Sequence, residues 1–247
     1  MIFTDFTYHL KEDAMRINKY LSESGVCSRR AADKLIEDGE VKINGKSAKL
    51  GDDVTDDDLV TVGGEVVSAV KKYDYYAMNK PKGYVCTVKD DKGRKTVMDL
   101  LPPGIQRVVP VGRLDYDTEG LLLFTNDGEL TNKLTHPKNG VYKTYLVKVE
   151  SYIPDEALKT LSRGVELDGK YTNPCKVKLI ERNKLGTKLH VSINEGRNRQ
   201  VRRMFEAIGF DIDFLKRISI GELTVSGLDR GDVRKLNKRE IEYLKSL

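Results

Sequence analysis

The run GRLDYDTEGLLLFTNDGEL, residues 112–130, sets Asp115, Asp117, Glu119 and Asp127 around an apolar stretch from Leu121 to Phe124. LLLFT reads as a core strand, and by residue type alone the acids are solvated loop carboxylates. Outward from this centre, residues 75–247 alternate strand-like and helix-like pieces. YYAMNKP, VYKTYLVKVE, NPCKVKLIE and KLHVSIN read as strands; DEALKTLSRG, RNRQVRRMFEAIG and NKREIEYLKSL read as helices. Strands come both in succession and separated by helices. That order predicts a mixed, mainly antiparallel α+β sheet rather than a doubly wound one.

Upstream, residues 15–70 form a separate small unit. RINKYLSESG puts Ile17, Tyr20 and Leu21 at helical spacing, with Gly25 as the stop. Ser28 is placed to cap a second helix, SRRAADKLIEDG, that ends at Gly39. EVKING then enters an Asn44-Gly45 turn, a strong hairpin signal, and VTDDDLVTVGGEVV continues as strand, turn and strand. The acidic stretch GDDVTDDDLV lacks the Gly and terminal Glu of an EF-hand loop and reads as the outer turn of the hairpin. Residues 71–74 are expected to be a linker. Residues 1–14 are expected to be a flexible tail, or the product of an upstream start codon, because Met15 stands directly before the first patterned segment.

Composition narrows the function. The chain has 247 residues, with 43 Lys+Arg against 38 Asp+Glu, a mild excess that names no partner until its placement is known. Arg16, Lys19, Ser28, Arg29, Arg30, Lys42, Asn44 and Lys46 cluster in the small unit. Free N–H groups and cationic forks converge where the second helix starts, which makes a phosphate site there about as expected as a solvated basic face. Lys80, Lys82, Arg113, Arg197 and Arg199 are further candidate RNA contacts. Arg197, Arg199, Arg202 and Arg203 alternate with Val201, Met204 and Phe205 in the pattern of an amphipathic helix. Cys27, Cys86, Cys175, His9, His136 and His190 are scattered and show no zinc spacing, so no metal is expected. The sparse cysteines fit a reducing cytosol. No run reaches the roughly 18 apolar residues of a membrane span, and the N-terminus lacks a signal peptide's pattern. GxxxxGK[ST] and GxGxxG are both missing, so no nucleotide cofactor is expected.

RINKYLSESGVCSRRAADKLIEDGEVKING resembles the S4 RNA-binding module. GRLDYDTEGLLLFTNDGEL resembles the central motif of pseudouridine synthases, whose GRLD aspartate, here Asp115, is the indispensable carboxylate. The resemblance places Tyr145 of KTYLV against the target base and Arg202 of QVRRM against the catalytic aspartate. YYAMNKPKGYVC and KDDKGRKTV match the family's opening strand and loop, and all the segments occur in family order. The branch is that of the RsuA, RluB and RluF ribosomal RNA enzymes. It implies an S4 unit before a mainly antiparallel catalytic domain, acting on a uridine of ribosomal RNA. The S4 stretch and NRQVRRM favour 23S RNA of the large subunit, while YYAMNKPKGYVC leaves 16S RNA open. A cytoplasmic monomer is expected. The implied reaction breaks the C1′–N1 bond, turns the uracil and rejoins it through C5. Nothing is oxidised or imported, so no cofactor is needed. Asp115 serves either by attacking the sugar or by abstracting the C2′ proton. Rival readings are a non-catalytic ribosome-assembly protein, which has no need of Asp115, Tyr145 and Arg202, and a methyltransferase, which would need a Gly-rich donor site.

Overall fold

The computed structural model describes residues 14–68, 73–105 and 107–247. The expected tail lies outside the described residues except for Ala14, and so do Lys71 and Lys72 of the expected linker. The chain divides into two compact units, one ending at Tyr73 and one starting at Asp74. No helix among the described residues is long and apolar enough to cross a membrane.

In the first unit, helices α1 (Ile17–Glu23) and α2 (Arg29–Glu37) pack on short strands β1 (Met15–Arg16), β2 (Val41–Ile43), β3 (Lys46–Ser47), β4 (Asp53–Val54), β5 (Val60–Val62) and β6 (Glu65–Val67). Ile17, Leu21, Ala32, Ile36, Val41, Val54 and Val60 form its core. Ser28 caps α2 by accepting from the Ala31 amide. Asn44 and Gly45 both take positive φ, 49° and 80°, which the tight two-residue turn between β2 and β3 requires. One expectation needs correcting. The acidic stretch is not simply an outer turn, because Asp53 and Val54 form a strand that pairs with Arg16 and Met15.

The second unit is built on a sheet of nine strands among the described residues. In chain order its elements are β7 (Tyr75–Lys80), β8 (Val109–Val111), β9 (Glu119–Thr125), α3 (Gly128–Thr135), β10 (Lys143–Val149), α4 (Asp155–Arg163), β11 (Glu166–Leu167), β12 (Lys170–Tyr171), β13 (Lys176–Asn183), β14 (Gly186–Ile193), α5 (Gln200–Glu206), β15 (Phe214–Ile220), β16 (Leu223–Thr224), β17 (Val233–Lys235) and α6 (Lys238–Ser246). The strand order is β13-β14-β10-β15-β9-β7-β17, with β8 added to β9 and β16 to β15, while β11 and β12 form a separate small hairpin. Among the described strands of this sheet, only the β9–β15 pairing is parallel. The fold is therefore the mixed, mainly antiparallel α+β sheet that the element order implied.

The apolar continuity of LLLF follows from two-sided burial. Leu122 and Phe124 face a core with Tyr76, Met78, Val147, Val201, Met204 and Phe205. Leu121 and Leu123 face the other, with Ala77, Leu130, Leu134 and Leu244. The parallel contact explains Gly120, at φ +110°. A Cβ there would fall on the Arg217 carbonyl oxygen and 2.7 Å from its nitrogen, both backbone atoms of β15. Gly120→Ala is expected to destabilise the second unit by about 3 kcal/mol or more, because backbone inside a sheet cannot step aside. Thermal unfolding should show a midpoint roughly 10 °C lower. An unchanged midpoint would mean the two strands can separate without cost.

Candidate active site

Asp115 lies in the Gly112–Thr118 loop between β8 and β9, and the loop is fixed from below by Lys80 at the end of β7. The Lys80 ammonium donates to the carbonyls of Pro81 (3.0 Å), Asp115 (3.1 Å) and Thr118 (3.0 Å). Its side chain is 0% exposed, and burial pushes its pKa below the usual lysine value although Cys86 and the carboxylates of Asp115, Asp117 and Glu119 oppose this. Further ties come from the Thr118 amide to the Asp115 carbonyl (3.1 Å) and the Gly83 amide to the Tyr116 carbonyl (2.9 Å). The expectation that Lys80 contacts RNA is therefore corrected: it is a strut inside the protein.

Four acids of the motif, Asp115, Asp117, Glu119 and Asp127, have different surroundings. Asp127 caps α3 by accepting from Leu130, accepts from the Tyr75 hydroxyl at 2.9 Å and pairs with Lys245. Glu119 is buried against Arg230 at 3.2 Å. Asp117 is held by Arg199 and Arg202, each at 3.2 Å. Burial raises its pKa, but the hydrogen bond from Arg199 and the charges of Arg202 and Arg199 outweigh it and hold the carboxyl below the usual range. Asp115 is the one of the four that lines a cavity of about 350 Å³, together with Arg113, Leu114, Thr118, Lys143, Tyr145, Arg199 and Arg217. Tyr145 enters this cavity from β10 and is itself buried.

Arg202 is not placed as the resemblance implied. Its guanidinium binds the Asp117 carboxylate, the Asp117 carbonyl (3.1 Å) and the Ile212 carbonyl (3.0 Å). Among the described residues, the cation paired with Asp115 is instead Arg199, at 4.0 Å. Arg199 sits before the first turn of α5 at φ 47°, a conformation unusual for a side-chain-bearing residue. Arg202 is 8% exposed, so the solvated basic face is also the wrong description of it. It acts on the loop one residue pair away from Asp115.

Other expected RNA contacts divide by what they already hold. Arg197 is committed to the carbonyls of Lys170 (2.9 Å) and Tyr171 (2.6 Å) and to Glu195. Both polar atoms of the Asn44 side chain are used inside the chain, by Asp58 and the Leu59 amide. Both residues already hold partners within the chain, and the Ser28 hydroxyl serves its helix. Arg16 binds the Gly51 carbonyl and Asp53, while Lys19 pairs with Glu23. Arg29 donates to Asn18 and is exposed, as are Arg30, Lys42 and Lys46. Lys82 is exposed near the Phe214 ring, and Arg113 is exposed at the cavity. Residue-level reading passed over Lys143 and Arg217. Lys143 stood in the quoted KTYLV string, whereas Arg217 lay on a strand that the sequence reading did not identify.

The family model described as RNA pseudouridylate synthase matches residues 74–207, and that of the S4 domain matches residues 15–60. Ribosomal large subunit pseudouridine synthase B of Bacillus subtilis (strain 168) is 46% identical over 94% of this chain and 96% of its own length. The dual-specificity RNA pseudouridine synthase RluF of Escherichia coli (strain K12) is 39% identical over 94% of this chain and 79% of its own. A crystal structure described as a pseudouridylate synthase superposes with a TM-score of 0.68 at 31% identity, covering 93% of this chain and 99% of that one. With matches of this extent across both units, the chain belongs to the RNA pseudouridylate synthases, isomerases that turn uridine into pseudouridine, and carries an S4 domain ahead of the catalytic fold.

Proposed function

We propose that this protein isomerises a uridine of large-subunit ribosomal RNA, 23S RNA, with Asp115 as the catalytic carboxylate and Tyr145 against the base. The observation that carries the assignment is that Asp115 faces a cavity, whereas Asp117, Glu119 and Asp127 are spent on arginines, lysine or a helix end. The names of the relatives support the large subunit as target. The uridine is flipped into the cavity, because its reacting bonds are out of reach inside stacked RNA. Tyr145 receives the face of the ring, and Asp115 then works as nucleophile on C1′ or as base at C2′. Arg199 orients it, and Lys80 with Arg202 fixes the loop. The protein works as a cytoplasmic monomer, with residues 15–70 gripping RNA and residues 75–247 performing the chemistry. Mapping pseudouridines in ribosomal RNA of a strain lacking the gene tests the target. One 23S position reverting to uridine is expected; a loss confined to 16S RNA would overturn the large-subunit reading.

The exposed guanidinium pair at the start of α2 supplies the grip. Changing Arg29 and Arg30 together to Gln should weaken RNA binding and flatten the plot of log affinity against log salt by roughly 1.5, since two phosphate contacts are lost. Single-turnover rates at saturating enzyme should not change. Titrations at several salt concentrations check this, and an unaltered slope would show that the pair does not meet phosphate.

A further inference from the structure

Two cations in the cavity have no assigned work. Lys143 begins β10, on the same face as Tyr145 two residues on. Arg217 lies directly across from Tyr145 in the β10–β15 register, so its side chain emerges beside the tyrosine. Both line the cavity with Asp115. Arg217 is 3% exposed; its Nε donates to the Leu121 carbonyl at 2.7 Å, and its Nη2 is buried without a partner. Among the described residues Lys143 makes one hydrogen bond, to the Val141 carbonyl at 3.2 Å, which leaves two of its three donors open. No ion pair neutralises either group among the described residues. The hydroxyl of Thr118, also in the cavity wall, is buried and unpartnered. Native interiors seldom leave such atoms unsatisfied, so this set marks the place of a ligand.

We propose that Lys143 and Arg217 form a cationic seat for the carbonyl oxygens of the uracil ring, holding the ring while it is detached from the sugar as an anion. This rests on the uridine isomerisation proposed above. When C1′–N1 breaks, the bonding pair stays with the uracil, whose negative charge spreads over N1 and both carbonyl oxygens. Joining C1′ to C5 consumes that charge and restores Asp115 as a carboxylate, because its bond to C1′ breaks in the nucleophilic route or it returns the proton to C2′ in the other; the C5 proton then leaves and N1 takes one up, so the overall change needs no other reactant. Both Asp115 routes pass through this same anion, and fixed cations in a dry cavity stabilise it more than the neutral base. Depth assigns the seat to the base rather than to phosphate. A flipped nucleotide enters base first, leaving its phosphates at the mouth, where Arg113 and Arg199 are more exposed. Burial and the neighbouring Arg217 pull the Lys143 pKa down to about 8, so its charge is costly until an anion arrives.

The test is Lys143→Met, with Lys143→Arg beside it, read by tritium release from 5-tritiated uridine in ribosomal RNA. Lys143→Met should lower the saturated single-turnover rate by about 100-fold with little change in RNA affinity. Lys143→Arg should recover much of the loss. A pH profile separates charge from packing. The ammonium is charged below its pKa, so the wild-type rate should fall as pH rises through about 8, while Lys143→Arg should not show that limb. Around Lys143, β15 contributes Arg217 and Ile220, and β14 contributes Ile193. Arg113, Asp115, Glu195, Arg197 and Arg199 complete the charged lining. Of these, Arg217 is the charge that shifts Lys143. Weakened affinity with an unchanged saturated rate would place Lys143 on phosphate and overturn the seat, as would full activity in a folded Lys143→Met protein. If Lys143→Met fails to fold, the missing alkaline limb in Lys143→Arg decides. A wild-type protein that releases no tritium from any ribosomal RNA would instead sink the proposed function.

Discussion

Asp115→Asn is expected to reduce tritium release by roughly 10⁴-fold at saturating enzyme, the scale on which removing a central catalytic group acts. The exchange keeps the shape of the side chain and removes its charge, so neither nucleophilic attack nor proton abstraction remains. The loop should stay in place, because its anchors are main-chain carbonyls that accept from Lys80 and the Thr118 amide, and the Asp115 carboxyl is not among them. RNA affinity, measured at the same salt as the wild type, should therefore change by less than about threefold. Asp117→Asn is the control that gives the result its meaning. It should leave more activity, since Asp117 points to Arg199 and Arg202 rather than into the cavity. Turnover of Asp115→Asn within tenfold of wild type would remove Asp115 from its role.

How far the sequence carried this assignment depended on whether a residue's role was local. The two small helices with the Ser28 cap, and the Asn44-Gly45 turn, are consequences of neighbouring residues and were readable as such. Helix α3 was not, because Asn126-Asp127-Gly128 has the composition of a turn. Asp127 nonetheless caps it locally, its carboxylate accepting from the Leu130 amide three residues on, as Ser28 does from Ala31. Strand β15 escaped because Lys216 and Arg217, adjacent in FLKRISI, break the apolar alternation, and the register shift opposite Thr144 and Tyr145 disturbs it again. Arg217 escaped with it. Partner choice was equally invisible: Arg199, in a left-handed conformation, precedes α5 and reaches Asp115, while Arg202 three residues on lies within the helix and holds Asp117. Lys80 shows the limit most clearly. A lysine before Pro81 in a basic protein reads as a phosphate contact, and nothing in its neighbours announces complete burial.

Burial makes Lys80→Met the sharper experiment on how the site is held. Methionine fills nearly the same space, yet the carbonyls of Pro81, Asp115 and Thr118 lose their common donor. The Asp115 carbonyl keeps the Thr118 amide, whereas each carbonyl left unpaired in the interior costs about 1–3 kcal/mol. Against this stands the relief of a buried charge whose pKa burial has already pushed down, so the two effects on stability oppose each other. They do not oppose each other in catalysis. The Asp115 carbonyl is one of the three, and a displacement of about 1 Å in a reacting group costs on the order of 100-fold in rate. Lys80→Met is thus expected to lose activity by about that factor or more while remaining folded, as judged by a cooperative thermal transition. Its RNA binding should keep the wild-type salt dependence, because a lysine with no exposed surface displaces no counterion. Loss of a phosphate contact would flatten that dependence by roughly 0.7–0.9, and such flattening would return Lys80 to the RNA-binding surface. Full activity would show that Thr118 and the Gly83 amide hold the loop without it.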